Sequence, residues 1–364
     1  MKNTFGTSVA VTLYGESHGA GIGAVLDGMA PGIPVDEARI ARQMDKRRAV
    51  GKLSTARREE DAVEILSGVY KGVTTGTPIA FLIRNKDPHS RDYDKLAALP
   101  RPGHADFTAF EKYHGFQDGR GGGHFSGRIT AGLVAAGAIA LTALERKGIR
   151  IGTHIATLGG VSDRGFANLE EDIAALDGMD FAVLDEERAE EMKAAVDTAR
   201  RELDSVGGVL ETAVTGLPAG VGEPWFDTVE SVLAHVLFGI PAVKGVEFGD
   251  GFALTAMRGS EANDPFRMED GKVVTATNRA GGILGGITTG MPLIVRCAVK
   301  PTPSIYKEQN TVDLRTGENA TLAIEGRHDP AIVHRARVVV DSAVALALCD
   351  LLALRFGTDW LSAE

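Results

Sequence analysis

Two pairs of Gly/Pro turns recur in the same order along this 364-residue chain, and that repetition narrows the folds open to it more than any other feature. Asp27-Gly28-Met29-Ala30-Pro31-Gly32-Ile33-Pro34 resembles Thr215-Gly216-Leu217-Pro218-Ala219-Gly220-Val221-Gly222. Each octet follows a strand-like apolar run and precedes an amphipathic helix. Gly72-Val73-Thr74-Thr75-Gly76-Thr77-Pro78-Ile79 resembles Gly286-Ile287-Thr288-Thr289-Gly290-Met291-Pro292-Leu293, and each opens a new apolar strand. A long apolar helix then closes each part, Ile129 to Lys147 and about Ala336 to Arg355. The offset of roughly 190 to 215 residues is too long for a solenoid repeat and predicts one duplicated unit. The reading is a single domain over 1–364, with halves near 1–150 and 205–355. Residues 161–206, dense in Asp and Glu at helical spacing, form an acidic helical elaboration.

Local signals place two helices. Asp227-Thr228-Val229-Glu230 reads as a capping box, Val229, Val232, Leu233 and Val236 supply an apolar face, and Gly239 ends the helix. Pro34-Val35-Asp36 leads into a second helix, with Ile40 and Met44 facing inward and Arg39, Arg42 and Arg47 outward.

Hydrophobic residues make up 44% of the chain, enough for a large core. Only 6% are aromatic and the net charge is −10, a balance that disfavours base stacking, general nucleic-acid binding and anionic membranes. Cys297 and Cys349 lie in apolar segments without zinc spacing, so buried reduced thiols and no metal site are expected. No basic segment followed by an apolar leader pattern is evident. The longest apolar stretch, Ile129 to Leu144, is shorter than the roughly 18 to 20 residues of a membrane span. The expectation is a cytoplasmic protein with neither membrane nor nucleic-acid partner.

The chemistry gathers at Gly-marked turns. Gly15-Glu16-Ser17-His18-Gly19 joins two strand-like runs, so His18 is expected at a turn tip, aimed but not buried. Arg101-Pro102-Gly103-His104-Ala105-Asp106, Gly121-Gly122-Gly123-His124 and Gly326-Arg327-His328-Asp329-Pro330 repeat the pattern. Lys46, Arg47, Arg48, Lys52, Arg57 and Arg58 form a basic loop suited to phosphate or carboxylates. Arg120 to Arg128 offers successive glycines before a helix N-terminus, a cradle for phosphate or flavin, but without a dinucleotide or Walker fingerprint. Lys300-Pro301-Thr302-Pro303-Ser304 fixes a turn carrying a cation and two hydroxyls.

Seven ordered stretches resemble the chorismate synthase family: Gly15–Gly19, the basic loop at Arg47–Arg48 and Arg57, Arg101–Asp106, Gly121–Arg128, Asn278–Gly290, Lys300–Ser304 and Gly326–Pro330. The resemblance covers essentially the whole chain. It implies an α+β fold with helices sandwiched between two antiparallel sheets, related by a pseudo-twofold, and a homotetramer. The implied reaction is anti 1,4-elimination of phosphate from 5-enolpyruvylshikimate 3-phosphate, giving chorismate, with reduced FMN and no net redox change. It implies His18 near the leaving phosphate, His104 beside the flavin and Asp329 as a proton relay. Arg47, Arg48, Arg57, Arg101 and Arg128 are the implied substrate residues. The implied flavin residues are His124, Phe125, Ser126, Ala242, Gly285, Lys300, Pro301, Thr302, Pro303, Ser304 and Arg327. Should the protein reduce its own flavin with NADPH, Arg47 and Lys52 are the candidate contacts. This chain has His124-Phe125-Ser126-Gly127-Arg128 where many members have Arg-Ser-Ser-Ala-Arg, Lys52 where arginine is usual, and Asp341 where glutamate is usual. The rival readings are a flavin-dependent oxidoreductase or flavin reductase, and a noncatalytic phosphosugar-binding protein.

Overall fold

The computed structural model describes residues 2–48, 61–85, 98–324 and 329–363. In chain order the first part contains β1 (Thr4–Phe5), β2 (Ala10–Gly15), β3 (Gly21–Asp27), α1 (Glu37–Asp45), β4 (Val63–Ile65), β5 (Val69–Tyr70), β6 (Val73–Thr74), β7 (Ile79–Arg84), α2 (Asp106–Tyr113) and α3 (Thr130–Arg146). Then come β8 (Arg150–Leu158), β9 (Val161–Ser162), α4 (Leu169–Asp177), α5 (Glu186–Arg201), β10 (Gly208–Thr215), α6 (Val229–Phe238), β11 (Val243–Phe248), α7 (Gly259–Ala262), β12 (Phe266–Glu269) and β13 (Lys272–Thr275). The chain ends with β14 (Ile283–Leu284), β15 (Ile287–Thr288), β16 (Leu293–Val299), β17 (Gln309–Asp313), β18 (Glu318–Leu322) and α8 (Val333–Phe356).

Among the described residues the strands form two five-stranded antiparallel sheets, in the orders β1-β2-β3-β7-β4 and β11-β16-β10-β8-β9, and four two-stranded ribbons, β5-β6, β12-β13, β14-β15 and β17-β18. Four strands of each sheet follow one plan, with β2, β3, β7 and β4 in the places of β8, β10, β16 and β11. The recurring turns are built alike down to single hydrogen bonds. Gly32 N–H donates to Thr74 O at 2.9 Å and Gly220 N–H to Thr288 O at 2.9 Å. Ile33 N–H donates to Thr74 Oγ1 at 2.9 Å and Val221 N–H to Thr288 Oγ1 at 3.0 Å. Each threonine hydroxyl then donates to a carbonyl upstream, that of Ala30 or Pro218. The acidic helices α4 and α5 enter between β8 and β10, so the first strand of the second sheet precedes the elaboration.

α3 and α8 pack together between the sheets, with α1 against α3 and α6 against α8. Small residues permit this closeness. A Cβ on Gly132 would lie 2.6 Å from Gly23 O on β3, and one on Gly137 would lie 2.3 Å from Ser342 Cβ on α8. On the other side, Thr153 Oγ1 of β8 donates to Asp341 on α8 at 2.6 Å. Burial drives the Asp341 carboxyl upward, so this bond supports a group that dehydration disfavours as an anion. Residues Gly127–Arg146 are long and apolar enough to span a membrane, contrary to the expectation from the shorter uncharged stretch. They are mostly buried here by the two sheets and α8, which accounts for an apolar surface all round the helix.

α1 buries Ile40 and Met44 as expected, and Asp36 caps it by accepting from Ala38 N–H. α6 differs in its start: Thr228 is the cap, and its hydroxyl accepts from Ser231 N–H, not from Glu230. Both cysteines are buried free thiols, and burial pushes Cys297 up to about 12.

Candidate functional site

The site is assembled from loops that leave the sheet ends. The β2–β3 turn carries His18, which is only 6% exposed; the expectation of an unburied tip fails because the glycine loop 121–123 folds over it. Ser17 N–H donates to Gly123 O at 3.1 Å, and Ser17 Oγ donates to Arg120 O at 3.2 Å while lying 3.1 Å from His18 Nδ1. Gly121 has φ +63° and Gly122 φ +110°. A Cβ on Gly121 would lie 2.0 Å from His18 Cε1, and one on Gly122 would lie 3.3 Å from both Cε1 and Nε2 of His104. The two histidines therefore rest on adjacent glycines, and the loop has no room for side chains between them.

His104 is held by its own loop. Its Nδ1 lies 2.7 Å from Asp106 Oδ1, and Arg101 clamps Asp106 through its backbone N–H, Nε and Nη2. Two of Arg101's side-chain donors are thus committed within the protein. Lys300 Nζ donates to Gly103 O, which joins the 300–304 loop to this one, and Lys300 N–H donates to Ala242 O at 2.9 Å. Thr302 O accepts from Ser205 Oγ at 2.7 Å, and the neighbouring Val206 N–H donates to Pro330 O at 2.8 Å. Beside Pro330, Asp329 is 9% exposed and accepts from Arg335 Nη1 at 2.5 Å.

The contacts continue until they close. Arg335 Nε donates to Arg47 O at 2.6 Å. Arg47 is buried, not outward-facing, because Asp61, Gly127 O and Thr130 Oγ1 satisfy its guanidinium. Arg128 meets the other oxygen of Asp61, and its Nε donates to Asn85 Oδ1 at 3.2 Å. Asn85 Nδ2 donates to Glu16 O and Gly19 O, which flank His18. Asp61, Asn85 and Arg335 were not singled out in the sequence. Their roles depend on long-range partners and carry no local signal, although Asp61 directly follows the basic loop.

His124 Nδ1 donates to Gly15 O at 2.8 Å, Phe125 meets Tyr113 edge-on, and Ser126 Oγ caps the turn at Arg128. Arg48 stands apart as a half-exposed partner of Asp45. Gly285 is not brought to the others. It lies in the β14–β15 turn at the Leu293 end of β16, whereas Lys300 follows the Val299 end, roughly 20 Å of strand away. Lys52, Arg57 and Arg327 lie outside the described residues. Arg47 is turned inward onto Asp61 and Thr130. Among the described residues no group of three or more His, Cys, Asp or Glu converges as a metal site would require.

A cavity lies beside His104, lined by Arg101, Asp106, Gln117, Gly122 and Phe125 among others. Thr302 Oγ1 and Gln117 Oε1 are buried without a hydrogen-bond partner among the described residues. Buried polar atoms of this kind await a partner, and with the side-chain-free glycine loop they fit a polar, planar cofactor.

The sequence matches the profile of the chorismate synthase family across residues 9–353. It is 49% identical over 350 residues to a chorismate synthase of Pyrococcus abyssi, covering 96% of this chain and 97% of that one. It is 49% identical over 356 residues to one of Methanosarcina acetivorans, covering 98% and 97%. A solved crystal structure of a chorismate synthase superposes with a TM-score of 0.77 at 30% identity, over 97% of this chain and 94% of the other. The ordered motifs, the helix layer between two antiparallel sheets and these matches agree: the chain belongs to the chorismate synthase family.

Proposed function

We propose that the closed circuit of contacts around His18, His104 and Asp329 is where this chain performs its reaction. Family membership makes it a lyase that eliminates phosphate from 5-enolpyruvylshikimate 3-phosphate to give chorismate, and a flavin-using enzyme. The observation that carries the assignment is the seating of two histidines on adjacent glycines, with Arg128 linked through Asn85 to the turn that carries His18 and Arg47 linked through Arg335 to Asp329.

The substrate has two carboxylates and a phosphate, so binding it demands cations; Arg47, Arg48, Arg57, Arg101 and Arg128 are the proposed set. His18 delivers a proton to the departing phosphate oxygen, and its burial keeps bulk water from competing for that role. Asp329 receives a proton as the C6 hydrogen is lost, with Arg335 fixing its carboxylate. His104 holds the proton balance at the cofactor's edge. The proposed cofactor is reduced FMN, held by His124, Phe125, Ser126, Ala242, the Lys300–Ser304 loop and Arg327. When bound, it supplies electron density to the breaking C–O bond and recovers it, leaving no net redox change. We further propose a homotetramer built from a single, internally duplicated domain, the latter reading supported by the shared strand plan and matched turn bonds.

The test is anaerobic incubation of the full chain with chemically reduced FMN and the enolpyruvyl substrate. Phosphate and chorismate are expected together, with the flavin still reduced at the end. Flavin oxidised in proportion to product would instead make the protein an oxidoreductase.

A further inference from the structure

His104 is gripped at one nitrogen by a group that is itself gripped. Asp106 Oδ2 accepts from Arg101 N–H at 2.9 Å and from Arg101 Nε at 2.7 Å. Its Oδ1 accepts from Arg101 Nη2 at 2.7 Å and faces His104 Nδ1 at 2.7 Å. Each carboxylate oxygen thus has two donors, and the group cannot turn without losing one. Burial works against its charge, but hydrogen bonds from Arg101 and His104 hold the carboxyl well below the usual carboxylate range. Asp106 is therefore an acceptor only. Arg101 Nη2 carries two protons and gives one to Asp106 Oδ1 at 2.7 Å; it lies 3.2 Å from Nδ1, farther than the anionic Oδ1 that Nδ1 faces at 2.7 Å, and the nearer, charged acceptor decides the ring's proton.

Asp106 is also the first residue of α2, where a carboxylate commonly serves the helix. Here the cap position is Ala105, which makes no side-chain cap bond, and Asp106 turns to Arg101 and His104 instead. The opposite edge of the ring, Nε2 and Cε1, lies against Gly122, which lines the same cavity as His104.

We propose that Asp106, clamped by Arg101, is a positioning residue that holds a proton on Nδ1 of His104, so that the neutral form of the ring presents its Nε2 lone pair to the reaction cavity. The inference rests on the reading that His104 serves the reaction. An acceptor at 2.7 Å stabilises only the ring form that has a proton to give it, so the other tautomer loses this bond. The arrangement delivers a proton acceptor of fixed direction.

The test uses full-length protein labelled with ¹⁵N-histidine, read by solid-state ¹⁵N spectra at a pH where the imidazole is neutral. His104 is assigned by the signal lost in His104→Gln. In the parent, Nδ1 is expected protonated and Nε2 bare; the reverse overturns the proposal without any need for an Asp106 variant. In Asp106→Asn, the amide hydrogens must face donors, and at the Oδ1 position the ring relieves the conflict by moving its proton to Nε2. The expected result is that switch, a kcat reduced about 100-fold or more, and KM for the enolpyruvyl substrate within about threefold. Asp106→Glu, which keeps the acceptor, is expected to restore the parent tautomer and part of kcat. An unchanged tautomer in Asp106→Asn, or a switched tautomer with parental kcat, overturns the proposal. Near-parental turnover in His104→Ala would instead remove His104 from the reaction while leaving the measured tautomer standing, so the two failures are distinct.

Discussion

Gly121→Ala is the most direct perturbation of the proposed site, because it adds one methyl group at the point where His18 meets the glycine loop. Two costs follow from the structure. The first is conformational: φ is +63°, and an alanine in the left-handed region costs about 1–2 kcal/mol. The second is steric. The new Cβ would lie 2.0 Å from His18 Cε1, whereas carbon atoms pack at about 3.5–4.0 Å. The ring must therefore retreat by about 1.5 Å or more, or the loop must move as far. A 1 Å misplacement of a reacting group can cost about 100-fold, or about 2.7 kcal/mol of transition-state stabilisation. The expected variant is folded, melts a few degrees lower, and turns over about 100-fold more slowly under anaerobic conditions with reduced FMN. Gly127→Ala is the matched control, since that glycine is exposed and its Cβ would meet nothing within 4 Å. It should retain parental turnover. A folded Gly121→Ala enzyme with more than about a third of parental turnover would refute the reasoning, as would an equal loss in the control.

The remaining predictions concern proton relay, stability and charge. Asp329→Asn should keep reduced-FMN and substrate affinity within about threefold yet slow the single-turnover rate about 100-fold; lost affinity with an unchanged saturating rate would make Asp329 a binding residue. Asp350 accepts from the backbone N–H groups of Thr7, Ser8 and Val9, so Asp350→Ala should cost about 3 kcal/mol or more in guanidinium unfolding. An unshifted midpoint would show that water replaces the carboxylate there. For His154, burial pulls the imidazole downward but hydrogen bonds to Asp163 and Glu211 outweigh it and raise the net value. Its stabilisation is thus complete below the ordinary imidazole range and is lost as pH rises through the raised folded value, so His154→Gln should flatten the alkaline fall in melting temperature. Arg48 is half-exposed and paired with Asp45 at 2.9 Å, and as one of the proposed substrate cations its loss in Arg48→Ala should raise substrate KM and flatten its salt dependence; salt sensitivity equal to the parent's would make it a solvated surface residue.

The turn repeats were legible in the sequence because their chemistry is local: a threonine hydroxyl and three backbone groups, spaced by Gly and Pro, close the same knot at Thr74 and Thr288. The motif histidines were legible for the same reason, since both stand in short Gly-marked turns. His18's burial was not, because it depends on a loop a hundred residues downstream folding over it. Arg47 read as a solvent-facing helix residue until Asp61 and Thr130 supplied the partners that draw it inward. Arg335, on the next helix, donates to Asp329, a pairing that no spacing within the motif announces. In each case the missing information was a tertiary partner, which one-dimensional spacing does not encode.

The position of the site follows from the same repeated plan. The stretch from β7 to α3 and the stretch from β16 to α8 occupy corresponding places in the two parts of the chain. The first supplies His104, the glycine loop and Arg128; the second supplies the Lys300–Ser304 loop and Asp329. They also pack on each other: Leu314 N–H donates to Ala98 O at 2.9 Å, Thr311 Oγ1 to Pro100 O at 2.6 Å, and Lys300 Nζ to Gly103 O. Because these two excursions meet each other, the repeated plan places the proposed site where they join. His18 and Arg47 then join it from the β2–β3 turn and the end of α1, both in the first part, and Gly285 is left at the far end of β16. Substitutions in the 300–304 loop should accordingly disturb the setting of His104 more than those at the Gly285 turn, since Lys300 is bonded to the loop that carries His104.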